Sequence, residues 1–229
     1  MPAAKRRSWE TGQVDEVELL DWKRRVFALY AEVRAATEPE AAWRSWRAAR
    51  DELFRTHPQS PAPADRRGEL ASLPYFDYDP AFRVLAAVEP AEETRLLIAG
   101  SGPRPTPFRR FATAVFELGS EQQRLALYWL EGYGGGLFLP FRDETSGGET
   151  YGAGRYLLDT VKGADLGELD GKLVLDFNFA YNPSCAYDSR WACPLAPPEN
   201  RVPVAVRAGE RAPAAGTASS QDPPSRVTP

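Results

Sequence analysis

A chain of 229 residues with 43% hydrophobic and 11% aromatic side chains, including six tryptophans, has the apolar surface for a packed core, which excludes a wholly disordered protein. Its 28 basic and 32 acidic residues leave a formal net charge of -4, so no global positive field draws it to nucleic acid, and no nucleic-acid partner is expected. Met1-Pro-Ala-Ala-Lys-Arg-Arg-Ser-Trp-Glu10 has basic residues but no apolar run after them, and no stretch approaches the roughly 20 apolar residues of a membrane helix. The expectation is a cytoplasmic protein with no membrane partner and with Cys185 and Cys193 reduced.

In chain order, residues 1–14 read as a disordered N-terminus and 15–56 as a helical pair. The first helix places Leu19, Trp22, Val26, Tyr30 and Val33 on one stripe, with Glu18, Lys23, Arg24 and Glu32 on the wet side. Thr37-Glu-Pro-Glu40 predicts a capping box from Thr37 to Glu40, with Pro39 in the first turn. The second helix carries Trp43, Trp46, Arg50, Leu53 and Phe54, and should stop ahead of Pro58, since the residue before a proline is pushed out of helical torsions.

A connector rich in proline runs from His57 to Leu73, and from Tyr75 the period becomes that of strands. Strands are predicted over 82–88, 94–99, 111–118 and 124–130, separated by turns at Glu89-Pro90, Gly100-Ser-Gly-Pro103 and Gly119-Ser120. Three more fit 137–141, 150–158 and 172–177. Seven short strands without intervening helices predict an α+β fold: an antiparallel β-barrel or sandwich braced by the two N-terminal helices. The β-rich part spans 75–207, the whole domain 15–207, and the Ala, Gly, Pro and Ser of 208–229 read as a disordered tail.

Chemistry-bearing residues concentrate in two blocks. In Pro140-Phe-Arg-Asp-Glu-Thr-Ser-Gly-Gly-Glu-Thr150 the residues from Asp143 to Gly148 suit a hairpin turn. Arg142 and Arg155 flank it, and a buried arginine needs either a carboxylate such as Asp143, Glu144 or Glu149, or an anionic ligand. Tyr151-Gly-Ala-Gly-Arg155 sets two glycines in a strand-like run, the mark of a bulge or a close approach. It is no dinucleotide fingerprint, and no Gly-Lys-Ser/Thr phosphate loop occurs. In Asp176-Phe-Asn-Phe-Ala-Tyr-Asn-Pro-Ser-Cys-Ala-Tyr187 the polar groups of Asn178, Tyr181 and Asn182 must find partners, whether in the loop itself or in a ligand. The spacing of Cys185 and Cys193 suits no zinc motif, so no metal and no cofactor are expected. His57 is the only histidine, the side chain type best suited to acid–base work near neutral pH, and its commoner fate is a hydrogen bond that ties a connector down.

These pieces in series resemble a known family. His57-Pro-Gln-Ser-Pro61, Tyr75-Phe-Asp-Tyr-Asp-Pro80, Leu139-Pro-Phe-Arg-Asp-Glu-Thr145, Glu149-Thr-Tyr-Gly-Ala-Gly-Arg-Tyr-Leu157, Asp176-Phe-Asn178, Ala180-Tyr-Asn-Pro183, Cys185-Ala-Tyr187 and Cys193-Pro-Leu-Ala-Pro-Pro-Glu-Asn200 are similar to the prokaryotic DUF1684 family, over about residues 15–209. Ser184 departs from the pattern, which has a second proline there. The resemblance implies a single domain found in soluble or lipid-anchored proteins, and it implies no activity.

Three functions fit. The first is a binding protein with a polar pocket at one end of the barrel for a small anionic molecule, held by Arg142, Arg155, Tyr151, Asn178, Tyr181 and His57. The second is a hydrolase-like enzyme in the same pocket, with His57 beside Asp143 or Asp176 as catalytic groups. The third is a structural or partner-docking domain whose motif residues form an internal polar network.

Overall fold

The computed structural model describes residues 15–213. Two helices, α1 (Asp15–Ala35) and α2 (Pro39–Thr56), precede seven strands: β1 (Arg83–Ile98), β2 (Thr106–Leu118), β3 (Glu121–Leu130), β4 (Leu137–Phe141), β5 (Arg155–Asp159), β6 (Glu168–Leu169) and β7 (Lys172–Asp176). The strands form one antiparallel sheet in the order β5-β4-β3-β2-β1-β7-β6, curled into a half-barrel braced by the helical pair. The α+β class is as expected.

Local chemistry explains the ends of the elements. Asp15, Glu16 and Glu18 occupy the first turn of α1 and Arg34 its last, each sign matched to the helix dipole. The cap of α2 differs from expectation: Glu38 is the N-cap, Pro39 is in the first turn, and no side chain caps the helix. Because Pro39 lacks an N–H and has its φ preset, the turn can start without the capping box. Leu19 also departs from its predicted stripe and is 46% exposed, while Leu29 and Tyr30 are the buried residues of α1.

Glu89-Pro90 is not a turn. β1 runs through it unbroken, pairing with β7 over Arg83–Ala86 and with β2 over Ala87–Ile98. Pro90 pairs with Ala112 at the edge of a register shift between Pro90 and Thr94, where a ladder tolerates a missing donor. The strand predicted from Thr150 begins only at Arg155, because Thr145–Gly154 is consumed by turns in which the Thr145 carbonyl accepts from the amides of Gly148, Glu149 and Thr150. β6, absent from the sequence expectation, arises from Asp170 and Gly171: both have positive φ (52° and 72°), which closes a two-residue hairpin between Leu169 and Lys172.

Each face of the sheet carries a buried cluster, although most of β1 from 87 to 97 is exposed. Leu125, Leu127, Phe141, Leu157 and Phe177 pack against Trp43 and Trp46 of α2 on one side. Ile98, Phe108, Tyr128, Phe138 and Tyr156 form a second core on the other. Alternation along β3 supplies both, Leu125 and Leu127 to one and Ala126 and Tyr128 to the other. Tyr181 packs against both cores, and its backbone pairs with that of Tyr156 on β5.

The tail boundary at 208 is corrected. Residues 208–213 are packed: Ala208 and Glu210 are fully buried, Phe76 N–H donates to the Gly209 carbonyl, and Arg211 N–H donates to the Pro74 carbonyl at 2.8 Å. Small residues and glycine, read as disorder by composition, here allow close approach. The disorder expected for 1–14 and for 214–229 lies outside the described residues.

Candidate functional site

Register decides what the two arginines can do. Phe141 pairs with Arg155, so both face the helix-side core, and Arg142, the residue after the end of β4, has its backbone bridged to Arg201 and by alternation points to the opposite face. The two guanidiniums do not converge. Arg155 is 1% exposed and fully engaged inside: Nη2 donates to Asp143 Oδ2 at 2.8 Å and to the Val206 carbonyl at 3.0 Å, and Nη1 donates to the carbonyls of Ala208 and Glu210. Asp143 is a hub in turn. Its Oδ1 accepts from Thr145 N–H at 2.7 Å, from the Thr145 hydroxyl and from Val206 N–H at 3.3 Å. Arg142 keeps a buried Nε with no partner among the described residues.

Asp176 and Asn178 brace another junction. Asp176 Oδ1 accepts from the backbone and side-chain N–H groups of Asn178, and Arg83 Nε lies 3.7 Å from Oδ2. Asn178 also exchanges two hydrogen bonds with the Asp79 backbone, and its carbonyl accepts from Trp43 Nε1. Burial pushes the Asp176 carboxyl up to about 6, against the hydrogen bonds from Asn178 and the charge of Arg83.

His57 ties the connector to α1. Its Nδ1 accepts from Gln59 N–H at 3.0 Å, which leaves Nε2 as the ring donor facing Asp21 Oδ2 at 3.2 Å, and Trp22 meets the ring edge-on. No hydrogen bond joins it to Asp143, Asp176 or either hairpin arginine among the described residues. The structure therefore brings Asp143 to Arg155 and Asp176 to Asn178, and leaves His57 and Arg142 apart from both.

A different cluster occupies the β5 edge, where the two cores meet the helices. A cavity of about 60 Å³ is lined by Tyr30 of α1, Arg50 of α2, Tyr156 of β5, and Lys162, Tyr181 and Asn182. Its volume suits a ligand of a few heavy atoms. Arg50 is placed by aromatic faces, its guanidinium 4.7 Å from the Phe54 ring centre and 5.0 Å from that of Tyr181. Its Nη2 pairs with the fully buried Glu210 at 3.0 Å and its Nε donates to Tyr75 Oη at 2.9 Å. Glu210 also accepts from Asn182 N–H at 2.7 Å and from the Tyr187 hydroxyl. Burial raises the Glu210 carboxyl, with Arg50 opposing.

Two residues of this cavity's lining bear on a ligand. Asn182 is 2% exposed; its Nδ2 donates to the Arg211 carbonyl at 2.8 Å, while its Oδ1 has no partner among the described residues. The Nδ2 bond fixes which end of the amide is which, so the free end is an acceptor. Lys162, half exposed and 3.3 Å from Asp159, supplies a second cation at the rim. Two larger depressions flank the α1–α2 turn. One, of about 390 Å³, is lined by Leu29, Glu32, Thr37, Glu38 and Trp46 without a cation. The other, of about 310 Å³, holds Arg34, Arg83, Glu168 and Asp176, where Arg83 lies by Asp176 and Arg34 by Asp165.

Of the ligand-binding and catalytic residues expected from the sequence, only Tyr181 lines the small cavity, beside Asn182, whose amide the sequence left in need of partners; the Tyr151 hydroxyl lies 3.8 Å from Cys185 Sγ. Arg50 left a signal: a charge on the apolar stripe between Trp46 and Leu53. Lys162 and Glu210 left none, for both sit in short irregular segments whose placement depends on distant chain. No group of three or more His, Cys, Asp or Glu suited to a metal occurs among the described residues, and none of their helices is long and apolar enough to cross a membrane.

An α+β half-barrel with a helical brace and internal ion pairs is thus the class that fold and site define. The family described as "Protein of unknown function (DUF1684)" matches residues 68–211, and the chain belongs to that family. The match takes in the sheet and Glu210 and begins after His57 and the helical pair. Among solved structures, the solution NMR structure of an uncharacterised protein from Haloarcula marismortui is similar, with 36% identity, 75% of this chain and 93% of that one covered, and a TM-score of 0.55. No curated protein matches the chain.

Proposed function

We propose that this chain is a binding domain for a small anionic molecule, held in the cavity between the helical pair and the β5 edge. The observation that carries the reading is the buried Asn182 Oδ1 without a partner, beside Arg50 and Lys162. A buried acceptor left unpaired costs about 1–3 kcal/mol, so a ligand that supplies its donor recovers that energy on binding. The two cations favour an anionic group on the same molecule, and the tyrosine hydroxyls of Tyr30 and Tyr181 add polar contacts. The chemistry that satisfies all of these is a small carboxylate carrying its own N–H or O–H, such as a short hydroxy or amino acid.

A thermal-shift screen with short carboxylates, hydroxy acids, amino acids and inorganic phosphate tests it. At a hundredfold excess over Kd, binding should raise the melting temperature by roughly 5–10 °C. Lys162→Gln, which removes the rim charge and keeps a hydrogen-bonding side chain beside Asp159, should lower the affinity by more than it lowers the stability of the free protein. If no probe shifts the melting temperature and the purified protein carries no small molecule by native mass spectrometry, the reading fails. The internal polar network around Asp143 and Arg155 supports a second reading, a structural domain, which that negative result would favour.

A further inference from the structure

The cavity of about 310 Å³ between the α1–α2 turn and the β6–β7 hairpin shares no lining residue with the one at the β5 edge. Its size is at the lower end of small-molecule sites. Val33 of α1, Leu166, Val174 of β7 and Phe179 give it an apolar wall, and Arg34, Arg83, Glu168 and Asp176 give it charge. Register sets the central pair: Arg83 on β1 is the partner of Asp176 on β7, so both side chains leave the sheet on the same face.

Asp176 is 2% exposed, and its two oxygens differ. Oδ1 accepts both hydrogen bonds from Asn178. Oδ2 accepts none among the described residues, and Arg83 Nε stands 3.7 Å from it, beyond hydrogen-bond reach. A buried carboxylate oxygen without a donor is costly, and a donor brought by a ligand removes that cost. The cations are also under-used. The Arg83 guanidinium donates no hydrogen bond among the described residues, and Arg34 is engaged only through Nη1, by the Asp165 carbonyl at 2.8 Å and the Asp165 carboxylate at 3.6 Å. Gly167, with φ of +76°, leaves room for the Arg34 stem, since a Cβ there would lie 3.1 Å from Arg34 Cδ. The first turn of α2 borders the cavity through Pro39 and Ala42 with no side-chain cap, which adds the positive end of a helix dipole.

We infer that this cavity is a second binding site, for an apolar α-amino acid. The ammonium group donates to Asp176 Oδ2, the carboxylate takes the free N–H groups of Arg83 and Arg34, and the side chain lies against the apolar wall. The charges favour a zwitterion over a simple anion, because two carboxylates, Asp176 and Glu168, stand beside the two arginines. The closeness of Asp176 Oδ2 to Arg83 favours an α-amino acid over a longer zwitterion, since an α-amino acid carries both charged groups on one carbon.

The test titrates the full chain with L-leucine and L-phenylalanine, beside N-acetyl-L-leucine, which lacks the ammonium, and L-leucinamide, which lacks the carboxylate. One site per chain should take the free amino acid, and each analogue should bind about tenfold more weakly, for the loss of one charge-assisted contact. Arg83→Gln should weaken L-leucine binding by a similar factor. Asp176→Asn should weaken L-leucine but not N-acetyl-L-leucine, a crossover that a purely structural role would not give. Lys162→Gln should leave L-leucine binding unchanged, which separates this site from the β5 edge. No saturable binding of either amino acid at millimolar concentration would overturn the inference. So would equal affinity for L-leucine and its N-acetyl form, or binding lost with Lys162→Gln and kept with Arg83→Gln. The three leucine probes on the wild type decide it even if a variant fails to fold.

Discussion

Arg155 and Asp143 show how a buried charge is kept. Each is at most 1% exposed; Arg155 Nη2, which bridges to Asp143 Oδ2, also donates to the Val206 carbonyl, and the other carboxylate oxygen, Oδ1, accepts from the turn at Thr145 and from Val206 N–H. Breaking such a pair from one side leaves an uncompensated charge, so Arg155→Met and Asp143→Ala should each lower stability by about 3–5 kcal/mol in urea denaturation. The double variant should lose less than the sum, because the second change removes the charge the first one stranded. Asp176 behaves differently, since burial dominates its hydrogen bonds. Its folded value, about 6, lies above the ordinary 3.8, so the folded protein holds the extra proton between those limits. Its contribution to stability is therefore complete below pH 4 and is lost as pH rises through 6. Asp176→Asn, which keeps an acceptor for Asn178, should raise stability by about 1–3 kcal/mol at pH 8 and have little effect at pH 4. A gain that is equal at both pH values would contradict the burial argument.

At the scale of elements, the hairpin between β4 and β5 separates two glycines that look alike in sequence. Gly154 has φ of +96°, and a Cβ there would lie 2.6 Å from the Phe141 carbonyl and 2.9 Å from the Ala196 Cβ. Gly152 meets nothing closer than 3.4 Å and has no such φ. Gly154→Ala should therefore cost about 2 kcal/mol or more, while Gly152→Ala stays within about 0.5 kcal/mol of the wild type, both read from thermal melts. The glycine pair in Tyr151-Gly-Ala-Gly-Arg155 pointed to a close approach, and one of the two makes it, against backbone rather than ligand. Pro90 carries the complementary lesson. Proline next to glutamate reads as a turn, but β1 has strands on both sides over its two halves, and that pairing outweighs a single lost donor at a register shift.

For the whole molecule, the segment from Val206 to Arg211 acts as a latch. Its carbonyls receive Arg155, its Glu210 carboxylate receives Arg50 and Tyr187, and its backbone joins Pro74 to Phe76 on one side and the Ala180 carbonyl on the other. A chain ended after Arg207 removes both carbonyl partners of Arg155 Nη1 and the carboxylate partner of Arg50 at once. It should lose more stability than Glu210→Gln alone, and tryptophan fluorescence during denaturation should show the difference, since Trp46 lies under Arg50.

The helical pair, the β-rich body and the α+β class were legible in the residues because period and turn chemistry are local. So were the hairpin turn at Asp143–Gly148 and the burial-prone amides at Asn178 and Asn182, which carry polar groups where a loop must account for each one. Those properties the sequence determined by itself. Which arginine points inward, whether Pro90 ends a strand, that Glu210 lies at the centre, and that Arg50, Lys162 and Asn182 share one cavity were decided by tertiary structure alone. Register sets the first, since a one-residue shift in pairing would turn Arg155 to the other face, and long-range packing of helix and loop segments sets the rest.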